Sequence, residues 1–220
     1  MTSEQLYQMS DNTCLSRGWT YAPRFYPIDS HVRYRCTKCG AIANYPMGKY
    51  AIDLEGGTKY PDILLCGAYP LLIVSERVLN DWVNSGITGF QSFPLEIREI
   101  ASEKLKTKER IQYYGIEVTA KCELDLEAMD VKIISKCDRC GNVRLSKDSM
   151  DIEELVIKPE SVENSDIFVS EIFPAIILVT QKVVKCACIN KHTNFSFVKA
   201  EDIFDEFSES INYLKFCKND

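Results

Sequence analysis

Two stretches about a hundred residues apart carry the same order of apolar and polar positions. In the first, the apolar run Leu71–Val74 follows Pro70 and reads as a buried strand. Ser75 then stands where a helix N-cap belongs. Val74, Val78 and Trp82 recur at i, i+4 and i+8, with Leu79 and Val83 widening the stripe, so the pattern predicts an amphipathic helix. Gly86 is placed to stop it. In the second, the run Ala175–Val179 follows Pro174, Thr180 takes the cap position, and Val179, Val183 and Ala187 with Val184 and Cys188 form the stripe.

Other blocks recur in the same order. Cys36-Thr37-Lys38-Cys39-Gly40 returns as Cys137-Asp138-Arg139-Cys140-Gly141. Asp62-Ile63-Leu64 returns as Asp166-Ile167-Phe168, and Thr88-Gly89-Phe90 as Thr193-Asn194-Phe195. Blocks in one order at slowly drifting offsets are the mark of an internal repeat. The expected fold class is therefore α+β, a duplicated architecture of two halves, residues 1–110 and 111–220, joined by a zinc-knuckle pair that supplies four cysteines. Charged residues 102–110 read as the link. Residues 111–118 read as a strand opening the second half. Residues 153–166, broken by Pro159, read as a surface loop.

The cysteines carry the chemistry. Two Cys-x-x-Cys pairs supply four thiolates, the ligand set of a closed tetrahedral zinc site, so Cys36, Cys39, Cys137 and Cys140 are the predicted metal ligands. The glycine after each pair permits the left-handed backbone that closes such a turn. The 97-residue separation from Cys39 to Cys137 is compatible with one shared ion, because closure entropy grows slowly with loop length. A redox dithiol and two independent sites are the competing readings. Four thiolates leave no open position for water, so the metal is expected to be structural and the protein not an enzyme. In Cys186-Ala187-Cys188, the repeat places Cys188 on the buried stripe as an apolar thiol and Cys186, opposite Asp81, on the exposed face. Cys14, Cys66, Cys122 and Cys217 have no assigned role. His31 and His192 are the only histidines and have no partner at ligand spacing.

Charge narrows the function classes. The formal net charge is −6. Residues 1–115 hold 13 Lys/Arg against 12 Asp/Glu, and residues 116–220 hold 13 against 20, a local net of −7. An acidic half disfavours general nucleic-acid binding and suits a basic protein partner. The acidic run offers Asp148, Asp151, Glu153, Glu154, Glu160 and Glu163 as candidate partner-binding residues. No apolar stretch reaches membrane-spanning length, and the N-terminus lacks the basic and apolar regions of a signal peptide, which predicts a cytoplasmic protein without a membrane partner.

These features together resemble the double-CXXCG motif proteins, a family described as immunity proteins of bacterial polymorphic toxin systems. The resemblance rests on both Cys-x-x-Cys-Gly turns, Asp166-Ile167-Phe168, Val74-Ser75-Glu76-Arg77 and Thr88-Gly89-Phe90, and spans roughly residues 33–200. It implies a non-enzymatic antidote that binds a cognate toxin. The alternative is a zinc-ribbon-like adaptor in transcription or RNA processing.

Overall fold

The computed structural model describes residues 5–11, 18–22, 25–27, 34–43, 50–66, 71–147, 152–162 and 164–203. The fold is mostly β, with a few short helices. One sheet holds six strands: β2 (Phe25–Pro27), β5 (Tyr50–Leu54), β6 (Ile63–Cys66), β7 (Leu71–Ser75), β8 (Phe90–Ile100) and β9 (Tyr113–Val118), in the order β2-β5-β8-β9-β7-β6. A second sheet holds β1 (Leu6–Asp11), β10 (Ala120–Cys122), β13 (Ile167–Ser170), β14 (Ile177–Thr180) and β15 (Phe195–Lys199), in the order β10-β13-β14-β1-β15. Two hairpins stand apart, β3 (Tyr34–Arg35) with β4 (Ile42–Ala43), and β11 (Ile133–Lys136) with β12 (Val143–Leu145).

The predicted helices form where their stripes placed them. α1 covers Glu76–Asn84, capped by Ser75, whose hydroxyl accepts the Val78 amide. It ends at Ser85 and Gly86, the latter at φ +63°. Val78 and Trp82 are fully buried, but Val83 is 63% exposed. Val83 lies about 100° round the helix from Trp82, beyond the arc the sheet covers. α3 covers Gln181–Ile189 and buries Val183, Val184, Cys186 and Ala187. The expectation for Cys186 is thus overturned, while Cys188 does pack against the buried core. Cys186 is buried because it faces α1, where it meets the Asp81 carbonyl and the Ser85 hydroxyl. Cys188 is half-buried and disulfide-bonded, so it is not a free apolar thiol.

Strand pleating divides the apolar residues among three cores. Leu72 and Val74 of β7, Ile116 of β9, Tyr7 and Met9 of β1, and Ile177 and Val179 of β14 turn inward and meet Trp82, Val183, Phe195 and Phe197 in one shared core. The alternate residues, such as Ile73 and Tyr113, build a second core on the outer face of the six-stranded sheet. Leu6, Phe168 and Leu178 pack a third on the outer face of the other sheet, under Leu124, Met129, Val131, Ile152 and Leu155.

Residues 1–110 and 111–220 are not separate in space. β1 lies inside the sheet of the second half, and β9 inside the sheet of the first. The strand over 111–118 forms, but it completes the first sheet instead of opening the second. The link at 102–110 holds a short helix, α2 (Glu103–Lys106), anchored by fully buried Leu105. The segment expected to be a surface loop contains a 3-10 turn at Pro159–Val162, and Ile157 bridges to Leu124. Among the described residues no helix is long and apolar enough to cross a membrane.

Candidate metal centre and the junction between the halves

Each cysteine pair sits at the tip of a hairpin, β3–β4 or β11–β12, and the two tips have the same backbone. The Cys36 amide donates to the Ala41 carbonyl and the Gly40 amide to the Cys36 carbonyl, both at 2.8 Å. Cys137 and Gly141 repeat this with Asn142 and Cys137, again at 2.8 Å. Gly40 has φ +74° and Gly141 φ +75°, a region that glycine enters without the Cβ penalty of other residues.

The tips meet face to face. Cys36 Sγ lies 3.8 Å from Cys137 Sγ, and Cys39 Sγ lies 3.4 Å from Cys140 Sγ. All four sulfurs fall within 4.8 Å of one another, close enough to hold a metal ion. A tetrahedron with Zn–S bonds of about 2.3 Å has S···S edges of about 3.8 Å, so this donor set fits zinc in size and in chemistry. The spacer residues reach across as well. Lys38 Nζ donates to both oxygens of Asp138, at 2.7 and 2.8 Å, and Arg139 Nη1 donates to the Thr37 hydroxyl at 2.5 Å. The Lys38–Asp138 pair is exposed and adds at most about 1 kcal/mol, so it aligns the tips more than it holds them.

The electrostatics of the cluster suit a cation. The Cys39 amide, and after it the Lys38 amide, hydrogen-bonds the Cys36 sulfur and holds its thiol down to about 6. The Cys140 amide does the same for Cys137, lowering it. At Cys140 the Asn142 amide favours the thiolate. Burial and the three neighbouring sulfurs outweigh it, and the thiol is pushed up to about 12. Without a counter-charge the four sulfurs cannot all ionise together. A divalent ion removes that repulsion.

A second constellation joins the halves, built from repeated blocks that carried no predicted role. Asp62 accepts from the Ser75 hydroxyl at 2.8 Å within its own half. From the other half it accepts the Thr193 amide at 2.7 Å and the Thr193 hydroxyl at 2.8 Å, and it pairs with Arg77. Asp166 is served in the same way by the Thr180 hydroxyl, by the Thr88 amide and hydroxyl, and by Lys182. Arg77 and Lys182 then continue across the joint to the carbonyls of Asn190 and Gly86. Asp62 is lowered although burial opposes this, because the hydroxyl, amide and guanidinium donors outweigh it. The recurrence of these blocks was the available signal. Their reciprocal pairing was not visible in it.

His192 is a core histidine. It is 1% exposed, and its Nε2 meets Asp81 Oδ2 at 2.7 Å across the helix pair. Burial depresses its pKa, with the Asp81 hydrogen bond opposing. Cys122 is buried and its thiol is pushed up to about 11, so it is inert packing. Among the acidic candidates, Glu153, Glu154 and Glu160 are exposed on the segment that covers the third core. Asp148, Asp151 and Glu163, and also His31, Cys14 and Cys217, lie outside the described residues.

The immunity protein family Imm11 matches residues 51–202, more than half of the chain. The chain belongs to that family. The matched span contains Cys137 and Cys140 and both aspartate junctions, and it begins after the first cysteine pair. No curated protein matches the chain. Membership in Imm11 indicates a protein that neutralises a toxin, which implies a toxin as partner and suggests a non-enzymatic role.

Proposed function

We propose that this Imm11 protein is a cytoplasmic, non-enzymatic antidote that binds a polymorphic toxin, and that one structural zinc ion on Cys36, Cys39, Cys137 and Cys140 clips together two halves descended from a duplication. The family match carries the antidote reading. The four converging sulfurs support the metal. The one-to-one correspondence of knuckles, helices and aspartate junctions supports the duplication.

Exposed Glu153, Glu154 and Glu160 support an acidic face toward a basic toxin surface. Such complementarity raises the association rate above all. Reversing Glu153, Glu154 and Glu160 to lysine is expected to slow association with the toxin and to abolish growth rescue in cells producing it. Unchanged rescue with unchanged kinetics refutes the acidic face. The adaptor reading loses its footing at the knuckles, where Lys38 and Arg139 are engaged across the site instead of free for phosphate.

Metal analysis of the purified chain tests the clip. About one zinc per chain is expected, lost together with thermal stability in Cys137→Ser. Two ions, or none with intact stability, refute the shared site.

A further inference from the structure

The leading strand of each half sits in the middle of the other half's sheet. β1 precedes the first knuckle, yet it lies between β14 and β15 and runs antiparallel to both. β9 precedes the second knuckle, yet it lies between β7 and β8, again antiparallel to both. The registers correspond. Leu6 and Tyr7 stand opposite Thr180 and Val179, as Tyr113 and Tyr114 stand opposite Ser75 and Val74. On the other side Tyr7 faces Lys199 and Met9 faces Phe197, while Tyr114 faces Pro94 and Ile116 faces Ser92. Each inserted strand also gives its inner side chains, Tyr7 and Met9 or Ile116, to the shared core.

An internal strand makes ladder bonds on both edges, so withdrawing it leaves two open edges and an apolar slot. We propose that each half is a receptor for the leading strand of the other, so that the binding partner of either half is a second half of this kind, and that the covalent link is dispensable once the strands are in place. The reciprocal aspartate junctions close the same joint from outside the sheets. This proposal is independent of the toxin-binding reading.

The link offers a place to cut. Residues 106–110 are exposed, and the cut lies beyond anchored Leu105 and before β9. A specific protease site placed in the full chain between Thr107 and Arg110 is cleaved in the folded protein. The product is run on size exclusion with a strong zinc chelator present, which removes any contribution of the metal clip. Co-elution of both fragments at the volume of the uncut 25.1 kDa chain is expected. Separation or precipitation of the fragments, or co-elution only without chelator, overturns the proposal. Hydrogen exchange on the nicked protein supplies the second readout. The amides of residues 7–9 and 114–116 are expected to stay as protected as in the uncut chain. Rapid exchange at those amides in fragments that still co-elute overturns strand insertion as the bond between them.

Discussion

Asp62 is the sharpest place to test the joint between the halves. Its carboxylate is largely buried and receives the Ser75 hydroxyl, the Thr193 amide and hydroxyl, and Arg77. Arg77 is half-exposed, so solvent screens that pair to under about 1 kcal/mol. The three buried bonds go to an ionised acceptor. Such bonds contribute about 1.5–3 kcal/mol each against about 1 for neutral ones. Asp62→Asn keeps an acceptor for Thr193 but removes the charge, and should cost about 2 kcal/mol. Asp62→Ala leaves the Thr193 amide and two hydroxyls without an acceptor, and should cost about 4 kcal/mol. With a urea m-value of about 2.5 kcal/mol/M for a chain of this size, midpoints should fall by roughly 0.8 M and 1.6 M. Fluorescence of buried Trp82 reports the transition. Because the shared core draws on both halves, one transition of unchanged slope is expected. A midpoint shift for Asp62→Ala below about 0.3 M, or a second transition in the parent chain, would refute the reasoning.

Gly89→Ala should be among the most damaging single changes. The new Cβ would stand 2.1 Å from the Ile167 carbonyl oxygen at φ +97°, and both partners there are backbone, so we expect a loss of about 3 kcal/mol or more, read as a fall in Tm. Gly141→Ala meets open space and bears only the left-handed backbone penalty of about 1 kcal/mol, so zinc affinity measured by chelator competition should weaken about fivefold. His192 has a depressed pKa and binds fewer protons folded than unfolded. Its stabilisation is therefore complete above the ordinary histidine value of 6.5 and is lost as pH falls through the folded value. Tm should start to drop below about pH 6.5, and His192→Gln should remove that limb while leaving the acid limb, below the ordinary 3.8, that Asp62 supplies.

The clustering of the four cysteines was legible because the determinants of each tip are local. A two-residue spacer, a following glycine and hairpin strands specify each tip, and the two tips match bond for bond. Helix caps were legible for the same reason, with one difference. Thr180 takes the N-cap position, but its hydroxyl serves Asp166 and leaves the helix uncapped by a side chain. Partner choice between strands was not legible. Residues 113–118 read as a strand from their aromatic and β-branched content, and nothing in that content says which sheet receives them. The face of Cys186 was misjudged because a helical wheel gives one buried arc, while α3 is covered by its sheet and by α1 at once. Sequence also could not show that Lys38 and Arg139 would point across the site toward Asp138 and Thr37.

The acidic segment is rooted in the third core, which shares no residue with the core at the joint. Changes in contact couple strongly, and distant ones nearly add. Charge changes at exposed Glu153, Glu154 and Glu160, above Ile152 and Leu155, touch neither the core at the joint nor the aspartate junctions and are expected to shift stability by no more than about 0.5 kcal/mol.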